Sequence, residues 1–259
     1  MPPGEDWRAP PDEAGDDALA YSDIAIGYVG RNDGYRAAYR RALERVKRGK
    51  ITADDATAGL VRRWGISYLA EPASAFDPKL AVARFDLSPA SVVLGPPPAC
   101  LGKAWRLDMK MLGAIRARIR IGGLLHLILA DKEGDEHLWA AGPLDRPLVM
   151  MLPVGSDPFA GLASAERVCR RALGMASGPP ALRPTPGRRQ HLLTLLRALD
   201  GHRAGASPRE LAAVLIDRDV RKYSAGEWSD CRERKRINRW LAEAIELRDG
   251  GYIRLLRGG

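Results

Sequence analysis

Cysteine is scarce in this chain: there are three in 259 residues, Cys100, Cys169 and Cys231, far apart in sequence. They form no Cys-x-x-Cys pair and leave an odd thiol, which excludes a disulfide framework and points to a reducing compartment. Histidine is equally sparse. His126, His137, His191 and His202 stand at no helical ligand spacing from one another or from a cysteine, so no zinc motif is present. Glycine-rich phosphate loops and the Gly-x-Ser-x-Gly elbow are missing too, and Asp54-Asp55 falls in the first turn of an expected helix, where the helix dipole already accounts for acids. No enzyme, cofactor or metal site is expected. Long apolar runs are absent as well. The longest, Leu124 to Ala130, is far too short for a bilayer span, and the acidic, proline-rich stretch from Met1 to Asp17 is the opposite of a signal peptide. The expectation is a soluble cytoplasmic protein with no membrane partner.

Positive charge is what the chain does have, unevenly placed. The net charge is +9, and residues 156–259 hold 20 Lys and Arg against 12 Asp and Glu. The first 155 residues hold the remaining 21 against 20. Such asymmetry suggests a polyanionic partner for the C-terminal part and, by the even balance, no second DNA surface in the N-terminal part. The competing reading is a generally arginine-rich composition. At 46% hydrophobic and 28% charged residues, the chain is otherwise that of a globular protein with enough length to bury real cores.

Three regions differ in texture, and together they predict an α+β protein: a helical N-terminal domain over 1–70, a small antiparallel β-rich middle over 71–155, and a helical C-terminal domain over 156–259. In the first, Tyr35, Tyr39, Leu43 and Val46 recur at helical spacing between Asn32 and Arg48, and Thr52 caps a second helix through Trp64. In the second, Ser91 to Leu94, a hairpin of Ala117–Ile121 and Leu124–Ala130 about Gly122-Gly123, His137 to Ala141 and Pro147 to Leu152 read as strands. In the third, Phe159, Leu162, Ala165, Val168 and Ala172 form an apolar stripe between Asp157 and Met175. A proline-rich linker follows over Ser177–Pro186, then a leucine-striped helix over Gly187–Arg203. Ser207-Pro208-Arg209-Glu210 caps a short helix to Leu215.

A long turn from Ile216 to Ser229 then leads to a last helix, Asp230 to Arg248, stopped by Gly250-Gly251. Short capped helix, turn and long basic helix are the order of a helix-turn-helix, with a turn longer than usual. Cys231 to Arg239 reads CRERKRINR, five cations against Glu233. Arg232, Arg236 and Arg239 share one helical face, Arg234, Lys235 and Asn238 flank them, and Ile237, Leu241, Ala244 and Ile245 form the opposite, core-facing stripe. Arginine grips guanine bidentately and asparagine pairs with adenine. These six residues are the candidate base-edge and phosphate contacts. Arg221 and Lys222 in the turn are candidate phosphate contacts, although Asp217 and Asp219 interleave with the turn's cations. The competing reading is a solvated basic face.

The stretches Arg197–Leu215 and Gly226–Arg257, with Asp6-Trp7-Arg8, Gly30-Arg31-Asn32-Asp33-Gly34-Tyr35-Arg36, Tyr39 and Arg63-Trp64-Gly65, resemble the RovC-like and FseA-like transcription regulators. Their DNA-binding domain was formerly a domain of unknown function and looks like an extended-turn helix-turn-helix. Tyr28-Val29-Gly30 stands where that family often has a tryptophan and a bulky residue. The resemblance implies an activator of mobile-element transfer or excision genes, or of type VI secretion genes. It would act on promoter duplex DNA, with RNA polymerase or an antiactivator as partner of the N-terminal domain. Self-association would add avidity on repeated half-sites. The alternatives are an antiactivator working by protein binding and an excisionase-like architectural factor.

Overall fold

Short polar residues start most of the helices, each accepting from a backbone N–H that the first turn leaves unpaired. The computed structural model describes residues 6–9, 19–66, 86–101, 106–121, 123–132, 135–152 and 157–259. Most of the acidic lead, Gly122 and the expected domain boundaries near residues 70 and 155 lie outside them. Helix α1 (Tyr21–Arg31), not singled out by the sequence pattern, runs into Asn32, whose side chain accepts from Tyr35 N at 3.0 Å and starts α2 (Asp33–Lys47). Thr52 and Asp55 form a capping box for α3 (Ala53–Trp64), which ends where Gly65 turns left-handed at φ 71°.

The middle forms a five-stranded sheet from β1 (Val92–Gly95), β2 (Ile115–Ile121), β3 (Leu124–Leu129), β4 (Glu136–Ala140) and β5 (Val149–Met151), in the order β2-β3-β4-β1-β5. The sheet, expected to be antiparallel, is mixed: β1 pairs with β4 in parallel, and the other three pairs are antiparallel. Parallel neighbours need a crossover instead of a tight turn. Here the chain supplies it by leaving β1 and completing the β2-β3-β4 meander before β4 comes alongside.

Helix α4 (Pro158–Ala172) covers one sheet face, with Val168 packed among Val92, Leu94, Leu127 and Leu138. Of its expected apolar stripe, Val168 is buried and Ala165 and Ala172 pack against the core, but Phe159 and Leu162 do not. Ala160, Gly161, Ser164, Arg167, Val168 and Arg171 face inward, whereas Phe159 is 77% and Leu162 54% exposed. The ends of β3 and β4 and the segment before β2 decide this by offering acceptors. Arg167 Nε donates to Glu136 Oε2 at 2.5 Å; Arg171 donates to the carbonyls of Leu112 and Ala130 and lies 3.4 Å from Asp131. Two arginines whose charges are matched can go inside, and the helix rotates to put them there.

On the other face His126 is fully buried, its Nε2 3.2 Å from Nδ1 of His137 and its ring stacked on Trp139 at 4.2 Å. Burial lowers both imidazoles, His126 to about 2 and His137 to about 4. The unfolded chain therefore takes up protons near pH 6.5 that the fold refuses, and the pair's contribution to stability falls as pH drops below that value, against the opposite contribution of Asp23, whose carboxyl burial pushes up to about 7. Between pH 7.5 and 5 we expect a loss on the order of 2 kcal/mol for each ring. Thermal melts across that range check it. Relative to the parent, His126→Leu should lose about half of the pair's contribution, so its stability at pH 5 measured against pH 7.5 should be higher than the parent's, and an identical pH dependence would exclude the pair.

The remaining helices are α5 (Pro186–Arg203), α6 (Pro208–Leu215), a 3-10 turn (Arg218–Lys222), α7 (Ala225–Asp230), α8 (Arg232–Glu246) and α9 (Tyr252–Leu256). The last helix was expected to stop at Gly250-Gly251. It instead ends at Glu246, widens into a π-turn over Leu247–Gly251, with Gly250 at φ 149°, and resumes as α9 because Tyr252, Leu255 and Leu256 are buried. Their partners come from both ends of the chain: Ile24, Tyr28, Val29, Tyr35, Leu60 and Trp64 share one core with Leu192, Leu195, Leu199, Ala244 and Leu247.

Candidate nucleic-acid interface

The helix-turn-helix is assembled from three local decisions. Ser207 and Glu210 form the capping box that opens α6, with Pro208 at its first position. The long turn, residues 216–231, is not loose. Its 3-10 segment buries Val220, and Ser224 with Glu227 caps the six-residue α7. Arg209 then ties the turn to α6, donating to the carbonyls of Val220, Arg221 and Tyr223. In the sequence pattern Arg209 has only a place inside a capping box. Its second task depends on a turn folding back onto α6, which periodicity does not reveal.

Helix α8 packs on α5 and α6 through a stripe in which Ile237 and Ala244 are fully buried, Leu241 is nearly so, and Trp240 is half-buried. Glu233 lies buried at the start of this stripe. Arg232 Nε donates to it at 2.7 Å and holds its carboxyl below the usual range. Cys231 Sγ caps the helix, accepting from Arg234 N at 3.4 Å.

All six candidates on α8 are exposed, but they are not equally free. Arg232 is engaged with Glu233, Arg234 donates to Ser229 O at 2.8 Å, and Arg236 lies 5.0 Å over the Trp240 ring. Lys235, Asn238 and Arg239 have no partner among the described residues. At 100° per residue, Lys235 and Arg239 stand opposite the buried stripe and form the crest, with Asn238 beside them and Arg232 and Arg236 on one flank. In the turn, Arg221 is exposed. Lys222 is exposed but paired with Asp219 at 2.7 Å, which raises its pKa through that hydrogen bond.

The N-terminal residues named in the sequence act as clamps on this half. Arg31, buried, makes a two-pronged pair with Asp200 at 2.6 and 2.5 Å, and Asn32 Nδ2 donates to Arg248 O at 2.9 Å. Tyr28 OH donates to Leu192 O at 2.8 Å. Trp7 is buried against Leu211 and Ala198, where Gly201 leaves the room: a Cβ there would come within 2.8 Å of the indole. Arg31-Asn32 thus joins the first helices to α5 and the end of α8.

Two family models match the chain. A T6SS transcription factor DNA-binding domain (RovC) matches residues 151–257, and a proteobacterial transcriptional regulator-like domain matches residues 6–69. The chain belongs to the RovC-like regulator family. It is a DNA-binding transcription regulator. No curated protein and no solved structure matches it. In this RovC-like regulator α4, the turn and α8 all fall within the first match, and the clamp residues Trp7, Arg31 and Asn32 fall within the second. Among the described residues no helix is long and apolar enough to cross a membrane.

Proposed function

We propose that this regulator reads a promoter duplex by laying the N-terminal half of α8 in the major groove and that it activates transfer, excision or secretion genes. The observation that carries this is the division of α8: one stripe buried to the point of full exclusion, the other holding Lys235, Asn238 and Arg239 free of protein partners. Lys235, Asn238, Arg239 and Arg236 meet base edges, and Arg232, Arg234, Arg221 and Lys222 meet phosphates. The protein works in the cytoplasm at the nucleoid, without catalysis or cofactor. Its N-terminal helices offer the contact to RNA polymerase or to an antiactivator. A nuclease footprint combined with a promoter-fusion assay tests the reading. A protected site plus raised expression supports it. Strong bending without any effect on transcription would favour an architectural role, and no footprint at all an antiactivator.

Self-association through α4 belongs to the same reading. Phe159, Leu162, Glu166, Cys169 and Leu173 follow the 3-4-3-4 spacing of a coiled-coil seam, and every one is exposed. Phe159, Leu162, Leu173 (69% exposed) and Met175 (52%) offer on the order of 500 Å² per copy. Two copies packed seam to seam would bury about 1,000 Å², the lower bound for a specific interface. Sedimentation should show a dimer that Phe159→Glu and Leu173→Glu dissociate while the melting temperature holds. A monomer at high concentration, or a dimer indifferent to both changes, would rule the seam out.

A further inference from the structure

We infer that α2 is a second phosphate-binding face of this regulator, held rigidly beside the helix-turn-helix and gripping the same duplex without reading its sequence. The inference rests on the DNA-binding reading above but concerns a different surface. Summed over the N-terminal half the charge balances, and the sum conceals the placement. Six acids lie at Glu5, Asp6, Asp12, Glu13, Asp16 and Asp17, whereas Arg36, Arg40, Arg41, Arg45, Lys47, Arg48 and Lys50 crowd into one helix and its end.

The fold turns those cations one way. Helix α2 packs by Tyr35, Ala38, Tyr39 and Ala42, a stripe directed at α1, α3 and the shared core. Arg40, Arg41, Arg45, Lys47, Arg48 and Lys50 occupy the side away from it, and all are exposed. Glu44 is the one acid among them and is engaged with Arg48 at 3.8 Å. Arg40, Arg41, Arg45, Lys47 and Lys50 have no ion pair among the described residues. Six cations over about 15 Å of helix and turn approach the linear charge density of duplex DNA, one phosphate per ~1.7 Å.

Rigidity makes the face useful. Arg31 on Asp200, Arg203 on Asp33 at 3.1 Å and Asn32 on Arg248 tie the junction of α1 and α2 to α5 and to the π-turn that follows α8. A cationic array at a fixed spacing from the reading helix binds phosphates with no further ordering cost once α8 has docked, so its contribution is that of an intramolecular second contact. The crest of α8 spans only about 10 Å from Arg232 to Arg239, little for a protein that must find one site among many. A sequence-blind second grip supplies affinity and leaves selection to α8.

The test compares the full-length protein, an α2 variant (Arg40→Gln, Arg41→Gln, Arg45→Gln, Lys47→Gln) and an α8 variant (Lys235→Gln, Arg239→Gln). Each is titrated with a selected site and with a random-sequence duplex from about 50 to about 200 mM salt. The α2 variant should flatten the log–log salt slope by about three units and weaken both duplexes by on the order of 100-fold at low salt, leaving their ratio unchanged. The α8 variant should instead narrow the ratio. If the α2 variant keeps the parent slope while the α8 variant loses binding, α2 is not a duplex face and only this inference falls. If the parent binds neither duplex, the function itself falls with it. A photo-crosslinker attached at Arg41→Cys, in a protein whose Cys100, Cys169 and Cys231 are first changed to serine, should label duplex DNA, and failure to label in the bound complex would likewise overturn the assignment.

Discussion

Replacing Arg232, Arg236 and Arg239 together by alanine should reduce affinity for the selected site by two to three orders of magnitude or more, since each lost base contact costs about 1–3 kcal/mol. The single changes should differ in kind. Arg239 stands on the crest with no partner among the described residues, so Arg239→Ala should relax selection at one base position. Arg232 is held by Glu233, so Arg232→Ala should act mainly by flattening the salt slope by about one unit. Lysine separates the modes further. Arg239→Lys keeps charge but loses the guanidinium fork, so it should fail where the fork is read and succeed where only phosphate is met. Arg236→Ala also removes the cover from Trp240, so its melting temperature must be measured beside its affinity. Equal binding by Arg236→Ala, Arg239→Ala and the parent would remove α8's crest from the interface.

Arg167→Met should lower stability by about 3–5 kcal/mol, or roughly 10 °C in melting temperature. Arg167 Nε meets Glu136 Oε2 at 2.5 Å and both residues are almost fully buried. Burial already pushes the Glu136 carboxyl above its usual range, against the pull of Arg167. Without the arginine, the Glu136 carboxyl is pushed up further, because the hydrogen bond and charge that lower it are gone. The double change Arg167→Met, Glu136→Met should recover most of the loss, because apolar pairs of similar volume replace buried ion pairs at little net cost. A thermal or urea melt of the three proteins decides it. A single variant as stable as its parent would mean that α4 is not held to the sheet by this pair. The affinity of a single copy for one half-site should be unchanged throughout, since α4 and α8 lie in separate cores.

The contrast between α4 and α8 shows where pattern reading succeeds. In α8 the apolar and cationic stripes are cleanly divided, and Ile237, Leu241 and Ala244 go inside as their spacing predicts. In α4 two stripes compete. Phe159 and Leu162 make the more hydrophobic one, but Arg167 and Arg171 belong to the other, and matching acceptors exist only on strands far off in the chain. Helical periodicity carries no information about Glu136, Asp131 or the Ala130 carbonyl. The placement of N-terminal charge is hidden for a related reason: a sum over 155 residues averages an acidic lead with a basic helix, and only the fold shows that α2's cations share one side.

By itself the sequence determined what is local: the caps at Thr52 and Ser207, the spans of α2, α3, α5 and α6, the β2–β3 hairpin and the two-faced last helix. Each follows from a hydrogen bond or a stripe spanning a few residues. Tertiary structure alone decided that β1 joins β4 in parallel, that α4 buries arginines and bares its phenyl ring, that Arg209 holds the long turn, and that Arg31 and Asn32 bind the chain's first helices to its last. Those outcomes depend on partners up to 216 residues apart, whose charges and acceptors can be matched only once the chain has folded.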